Sequence, residues 1–199
     1  GTWAKKAIKE AELFGDIHVA GNSENDEGKF NYVPNQSQLD LRDDAVYLHF
    51  TSNNTIAGTQ YHTYPKPAAG SFLVADMSSD MLWRKFDATN FGIIYAGAQK
   101  NLGPSGVTVV IMRKDVLDLC ADDIPTMASY KTHAAKDSMF NTPPVFPIYT
   151  IGKVLKWLKG LGGLDAMEQI NREKAALVYG AIEGNPDFYR SPIQEDSRS

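Results

Sequence analysis

Lys100 is the residue whose surroundings best suit covalent chemistry. It lies in YAGAQKNLGPSGVTVVIM (95–112), between an apolar run and a β-branched run, and alanine or glycine fills positions 96–98, 103 and 106. Small residues let a bulky group approach the backbone closely. A lysine amine held away from water, with its pKa lowered, attacks carbonyl carbons. The segment therefore predicts a carbonyl-binding nucleophile, and a solvated surface lysine is the alternative.

Asp76 is the candidate partner of this lysine. It follows the apolar run of SFLVADMSS (71–79). Open α/β sheets bind ligands at the carboxyl ends of their strands, where both residues are expected. A lysine that forms a Schiff base with pyridoxal phosphate usually works with an acid that stays ionised beside the pyridinium N–H. The alternative is an aspartate that only caps a turn.

These two residues require a sheet to position them, and the apolar runs predict one. We expect strands at DIHVAG (16–21), AVYLHF (45–50), SFLVADMSS (71–79), FGIIYAGA (91–98) and GVTVVIMR (106–113), with a short strand or turn near 56–61. Strands that are apolar on both faces belong to a sheet buried between helices. The predicted fold class is α/β, with a central, mostly parallel sheet covered by helices.

Three helices are predicted around this sheet. TWAKKAIKEAELFG (2–15) has apolar residues at helical spacing. A second helix presents a face of Ile151, Val154, Leu155 and Leu158, and the glycines at 160, 162 and 163 end it. The third covers roughly 164–183. Residues 22–40 and 121–147 are expected to be mostly irregular.

Composition argues against several functional classes. The net charge is −4 without a basic stripe, which argues against nucleic-acid binding. No apolar run reaches the ~20 residues of a membrane span. The single cysteine, Cys120, excludes an internal disulfide and suits a reducing cytoplasm. The four histidines lack metal-ligand spacing, so no metal site is predicted.

The two ends predict a fragment of a longer protein. The first residue is glycine rather than methionine, and a helical pattern starts at once. The last stretch, SPIQEDSRS, is polar and stops without a closing element. We therefore expect both ends of the parent protein to be missing.

Several stretches together resemble one enzyme family. IIYAGAQKNLGPSG followed by VTVVIMRKDVL is similar to the lysine segment of the phosphoserine aminotransferases, class-V members of the fold-type I pyridoxal-phosphate enzymes. Further blocks match in order: WAKKAIKEA, LHFTSNNTIAGTQ, VADMSS, NTPPVFPIYTIGKVLKWLKGLGG and INREKAALVYGAIEGNPDFYR. The resemblance covers nearly the whole chain.

The resemblance implies a cofactor role for five residues of one subunit. Lys100 would form the Schiff base with pyridoxal phosphate and carry the proton during transamination. Asp76 would pair with the pyridine nitrogen, and Trp3 would stack on the ring. Thr55 would hydrogen-bond the phenolic oxygen, and Gln99 would donate to the phosphate.

Two further residues would act across a subunit interface. By the same resemblance, Asn141 and Thr142 would reach the phosphate of the neighbouring subunit's cofactor, which implies a homodimer with shared sites. Each assignment has an alternative. Asn-Thr before Pro-Pro is commonly an extended turn, Trp3 could be a core residue, and Thr55 could be a plain turn hydroxyl.

The implied reaction moves an amino group from glutamate to 3-phosphohydroxypyruvate and yields O-phospho-L-serine for serine biosynthesis in the cytoplasm. Residues 1–163 would be part of the large cofactor-binding domain, incomplete here, and 164–199 the linking helix and the start of the small C-terminal domain. The substrate's phosphate and carboxylate ligands would lie largely in the missing ends, so the isolated fragment is expected to be inactive. The alternatives are another fold-type I pyridoxal-phosphate enzyme and a non-catalytic fragment.

Overall fold

A four-stranded sheet organises the chain, and the computed structural model describes all 199 residues. The strands are β1 (Tyr47–Thr51), β2 (Asn53–Asn54), β3 (Thr59–Gln60), β4 (Phe72–Asp76), β5 (Phe91–Gly97) and β6 (Thr108–Met112). The helices are α1 (Thr2–Ala11), α2 (Lys114–Asp118), α3 (Tyr130–Ala134), α4 (Val145–Gly160) and α5 (Gly163–Glu183). None of these helices combines the length and the apolar character that a bilayer crossing requires.

The strand order of the sheet is β1-β4-β5-β6. Strands β1, β4 and β5 run parallel, and β6 is antiparallel to β5. This confirms the predicted mostly parallel sheet with helices. Strands β2 and β3 form a separate antiparallel hairpin just after β1. The parallel register pairs Thr51 with Asp76, so the carboxyl ends of β1 and β4 lie side by side.

The core covers one face of the sheet. Alternating residues of the central strands, such as Leu73, Ala75 and Ile94, are buried there together with Ile151 of α4. The aromatic rings of Phe50 and Phe91 add to it, with their centroids 6.4 Å apart. Only 24 of the 199 residues are buried. The hydrophobic core, which includes Ile151 of α4, therefore lies on one face of the sheet.

The opposite face borders a large cavity of about 1170 Å³. Side chains of β1, β4 and β5 line it, among them His49, Val74 and Tyr95, and residues of α1 such as Ala7 line it as well. Most of the lining is hydrophobic, with 27 of 44 residues. The cavity therefore separates α1 from part of this face of the sheet.

Two local predictions differ from the structure. Residues 16–21 form no strand, because the stretch makes a single backbone bond, from Asp40 N to Ala20 O at 2.8 Å, and no neighbouring strand completes a ladder. Helix α3 and the start of α4 at Val145 lie inside the stretch expected to be mostly irregular, 121–147. Pro147 fits the first turn of α4 because N–H groups there have no partner within the helix.

Candidate functional site

A polar cavity lies at the carboxyl ends of β1 and β4, beside the loop that follows β5. Its volume is about 100 Å³, and one of its eight lining residues is hydrophobic. The lining residues are Trp3, Thr51, Asn53, Asp76, Ser78, Ser79, Gln99 and Lys100. Four residues that the sequence singled out, at positions 3, 76, 99 and 100, therefore lie around one space. The rule that ligands bind at strand ends anticipated this place.

Lys100 lies three residues beyond the end of β5, at the mouth of the cavity. Its Nζ donates a hydrogen bond to Thr55 Oγ1 at 2.6 Å. The same Nζ lies 5.7 Å from the centroid of the Trp3 ring. Lys100 is exposed, so the expectation that it is held away from water is wrong for this chain. Nothing within these 199 residues closes the mouth above it.

Asp76 ends β4 and is held by its own turn. Its Oδ1 accepts hydrogen bonds from the Ser78 backbone N–H at 3.0 Å and from Ser78 Oγ at 2.6 Å. Ser78 Oγ in turn accepts from the Gly97 N–H at the end of β5, at 3.0 Å. One carboxylate oxygen is thus fixed by the turn. The other makes no hydrogen bond within the protein and is free for a donor in the cavity.

The small residues around Lys100 lie in two different environments. Ala96 and Ala98 are 0% exposed and belong to the core. A Cβ on Gly103 would lie 3.1 Å from Ile151 Cγ1, so this glycine lets α4 pack closely. Gly97, on the other face, borders Gln99, whose Oε1 would be 2.7 Å from an added Cβ. Most of the small residues therefore serve helix packing, and the expectation that they all admit a ligand is wrong.

A histidine and a tyrosine lie under the same face of the sheet as Asp76. His49 Nε2 is 2.9 Å from Tyr95 Oη, and the two rings stack with centroids 5.9 Å apart. Burial lowers the pKa of His49, and the negative charge of Asp76 partly opposes this effect. Burial also raises the pKa of the Tyr95 phenol, and the Asp76 charge adds to that shift. The pair is therefore neutral and supports the strand that carries Asp76.

Asn141 and Thr142 lie apart from the cavity. Both are exposed in the segment before α4, and Asn141 Nδ2 is 3.1 Å from Met127 Sδ. Neither residue lines the cavity that contains Lys100. Their assigned role concerns a neighbouring subunit, so it stays a prediction.

Sequence reasoning missed the polar lining that surrounds the aspartate. Asn53, Ser78 and Ser79 all border the cavity. A partial clue was available, because the two serines follow the aspartate directly in VADMSS. No group of three or more His, Cys, Asp or Glu side chains is arranged to hold a metal ion.

Comparison with known proteins gives consistent matches. The family model described as Aminotransferase class-V matches residues 1–199. Phosphoserine aminotransferase from Desulfotalea psychrophila is 58% identical over all of this chain and 54% of its own length. The structure of phosphoserine aminotransferase from Bacillus circulans subsp. alkalophilus is 49% identical with a TM-score of 0.95, and the match covers 100% of this chain and 54% of that one.

A more distant structure agrees. Phosphoserine aminotransferase from Trichomonas vaginalis, solved with PLP bound, is 37% identical with a TM-score of 0.89, over 100% of this chain and 58% of that one. The chain thus spans about half the length of the curated relatives that it matches.

Proposed function

The chain belongs to the class-V aminotransferase family, and on this premise we propose that its 199 residues form about half of a pyridoxal-phosphate-dependent phosphoserine transaminase. The full-length protein moves an amino group between glutamate and 3-phosphohydroxypyruvate and so yields O-phospho-L-serine for serine biosynthesis. One observation carries the proposal: Lys100, Asp76 and Trp3 line one cavity at the carboxyl end of the sheet.

The residues around the cavity fit pyridoxal phosphate chemically. The cavity offers a lysine amine for the aldehyde, an indole for the ring face and a carboxylate with one free oxygen for the pyridine N–H. Gln99 and Ser79 add polar groups suited to a phosphate. When bound, the cofactor supplies an electron sink that stabilises negative charge on the substrate α-carbon.

Four residues of the chain would have distinct tasks toward the cofactor. Lys100 would hold the cofactor aldehyde through Nζ and would take up the proton of the substrate α-carbon. The Asp76 carboxylate would accept the pyridine N–H and keep that nitrogen protonated. Thr55 Oγ1, which accepts a hydrogen bond from Lys100 Nζ at 2.6 Å, would orient the amine and would donate to the cofactor's phenolic oxygen. Trp3 would hold the plane of the ring by stacking.

The site is completed by parts outside this chain. We assign Asn141 and Thr142 to the phosphate of a neighbouring subunit in a homodimer, because both are exposed and outside their own cavity. Residues 1–163 belong to the large domain, and 164–199 begin the small one. The protein works in the cytoplasm. The isolated 199 residues are inactive, because Lys100 is open to water and no substrate-phosphate clamp accompanies it.

Substitution of Lys100 tests the proposal. The full-length protein is prepared with Lys100→Ala, and Lys114→Ala, an exposed lysine at the start of α2, is the matched control. Wild type and control should be yellow with pyridoxal phosphate, and borohydride should fix the cofactor on the peptide containing Lys100. Lys100→Ala should lose activity with 3-phosphohydroxypyruvate by at least about 10²-fold, the lower range for a positioned acid–base group.

Two results would contradict the proposal. Normal turnover by Lys100→Ala would remove the assigned nucleophile. A wild-type protein that prefers glyoxylate or alanine to the phosphorylated substrates would point to a different aminotransferase.

A further inference from the structure

A buried carboxylate lies directly behind the candidate site, in the turn that follows β4. This turn, Met77–Leu82, is called the 77–82 turn below. Asp80, within it, is 5% exposed, and no arginine or lysine hydrogen-bonds its carboxylate. Buried carboxylates are costly unless hydrogen bonds or opposite charges satisfy them. Asp80 is therefore not an ordinary solvated turn residue.

Both oxygens of Asp80 accept hydrogen bonds from buried side chains. Ser52 Oγ donates to Oδ1 at 2.5 Å, and Gln60 Nε2 donates to Oδ2 at 2.9 Å. The two donors are 0% and 4% exposed. Ser52 precedes β2 and Gln60 ends β3, so the two donors clamp the base of the hairpin. The turn of that hairpin carries Thr55, the hydrogen-bond partner of Lys100.

The same 77–82 turn contacts the other two elements of the site. The backbone N–H of Ser52 donates to the carbonyl of Asp76 at 3.0 Å, which joins the ends of β1 and β4. Ser79 Oγ donates to the Asn53 carbonyl at 3.0 Å. In the loop after Lys100, Asn101 Nδ2 donates to the Met81 carbonyl at 2.6 Å. The turn is thus bonded to the hairpin that carries Thr55 and to the loop that carries Lys100, and it directly follows Asp76.

The backbone of this turn is strained at its end. Leu82 has a φ of 69°, in the left-handed region that branched and bulky residues avoid. Such a conformation persists only where the surrounding contacts determine it, and these positions cluster at functional sites. The two residues before Leu82 are held in this way: Asp80 accepts hydrogen bonds from Ser52 and Gln60, and the Met81 carbonyl accepts one from Asn101.

We propose that Asp80 is a positioning residue for the cofactor site, which fixes the hairpin bearing Thr55 against the strand end bearing Asp76. The role rests on the proposed function, since it acts through residues assigned to pyridoxal phosphate. Asp80 itself does not line the cavity. Its effect is to set the distance between the Asp76 carboxylate, assigned to the pyridine nitrogen, and the Thr55 hydroxyl, assigned to the phenolic oxygen.

A carboxylate suits this position better than its amide analogue. Ser52 and Gln60 both present a donor, and only a carboxylate accepts with both oxygens. An asparagine would turn its NH2 group towards one of these donors. Burial raises the pKa of Asp80, and the Asp76 charge adds a smaller rise, whereas the hydrogen bonds from Ser52 and Gln60 favour the ionised form.

A swapped pair tests the role in the full-length protein. Asp80→Asn removes one acceptor. The double variant Asp80→Asn/Gln60→Glu keeps the bond from Ser52 and restores the bond between positions 80 and 60 with donor and acceptor exchanged and the net charge unchanged. Asp87→Asn is the matched control, because Asp87 is an exposed aspartate that caps the turn at 88–90. The readouts are the dissociation constant of pyridoxal phosphate, the pH midpoint of the visible band of the lysine-bound cofactor, and the unfolding midpoint without cofactor.

We expect Asp80→Asn to weaken cofactor binding by about tenfold, the size of one lost hydrogen bond to a charged group. The pH midpoint of the visible band should shift, because Thr55 moves relative to Asp76. The swapped pair should return both values to within about threefold of wild type, and Asp87→Asn should match wild type. Gln60→Met removes one donor, so it should shift the cofactor dissociation constant and the pH midpoint in the same direction as Asp80→Asn, but by less. This variant replaces Asp80→Asn in the test if Asp80→Asn does not fold.

Three outcomes decide against the proposal. If Asp80→Asn, or Gln60→Met in its place, lowers only the unfolding midpoint and leaves cofactor affinity and the spectral midpoint unchanged, Asp80 is a stability residue. If the swapped pair folds but does not recover affinity, the hydrogen bonds are not the cause. A wild-type protein without a visible band would instead contradict the proposed function, and with it this role.

Discussion

The floor and the rim of the candidate site are built in opposite ways. The site floor consists of Ser52, Asn53, Gln60 and Asp80, and the site rim of Trp3, Thr55, Gln99 and Lys100. Floor residues are at most 5% exposed, and their side chains are hydrogen-bonded. Rim residues are exposed, Trp3 by 43%. This chain therefore completes the floor, while the rim groups lie open to solvent, and the one hydrogen bond among them joins Lys100 Nζ to Thr55 Oγ1.

This contrast has an energetic consequence. A buried polar group that loses its partner costs about 1–3 kcal/mol, because water cannot replace the bond. An exposed group exchanges its partner for water at little cost. Substitutions in the floor should therefore change the free energy of unfolding, and substitutions at the rim should change ligand binding. Asp76 lies between the two regions, because Ser78 holds one of its oxygens and the other makes no hydrogen bond within the protein.

The largest expected effect comes from Asp76. Asp76→Asn keeps the oxygen that accepts from Ser78 but replaces the free charged oxygen with an NH2 group. A hydrogen bond to a charged group contributes about 1.5–3 kcal/mol, so pyridoxal phosphate affinity of the full-length protein should fall by about 10- to 100-fold. A spectrophotometric titration measures this.

The matched control for that variant is Asp118→Asn at the exposed end of α2. It should bind pyridoxal phosphate as wild type does. If Asp76→Asn also retained wild-type affinity, Asp76 would belong wholly to the floor.

The hydroxyl groups of Ser52 and Thr55, three positions apart, give the sharpest test of the difference between floor and rim. Ser52 is buried under Asp80, and Thr55 is exposed at the rim. Ser52→Ala leaves the Asp80 carboxylate short of a donor and should lower the free energy of unfolding by about 1–3 kcal/mol. Thr55→Ala should stay within about 0.5 kcal/mol of wild type. Urea unfolding of the cofactor-free protein measures both, and equal losses would refute the distinction.

The smallest expected effect is a pH dependence from His49. Because burial lowers its pKa, the unfolded state binds more protons below the ordinary histidine pKa of about 6.5. Stability from this residue is fully present above that pH and is lost as the pH falls towards the lowered pKa.

His49→Gln should therefore reduce the slope of unfolding free energy against pH just below about 6.5, and His133→Gln on α3 should leave the slope as it is. Urea unfolding midpoints measured at several pH values give this slope. An unchanged slope in His49→Gln would show that the ring is not held neutral by burial.

Local patterns accounted for the sheet and for the reacting pair. Strands β4, β5 and β6 were predictable from β-branched and apolar runs, and their strand ends brought Asp76 and Lys100 together by a general rule of α/β sheets. The strand expected at 16–21 is absent, because a strand needs a neighbour and this stretch has none here. Propensity alone contains no information about that neighbour.

The floor was not predictable in the same way. Ser52 and Asn53 lie in TSNNT, which looks like an ordinary polar turn. They are hydrogen-bonded to the 77–82 turn, more than twenty positions away in the sequence, through Asp80 and Ser79. Gln60 is likewise hydrogen-bonded to Asp80. No periodicity marks such residues, because the contacts that bury them are not local.

The amino-acid sequence by itself determined the parallel sheet, the amphipathic first helix and the choice of Lys100 and Asp76, which line one cavity at the strand ends. These follow from residue type and spacing, which act over a few positions. Only the tertiary structure decided that Lys100 stays open to water, that a buried carboxylate supports the hairpin behind it, and that one sheet face borders a large cavity. Those features depend on which distant segments meet, because burial and hydrogen bonding are properties of the assembled chain.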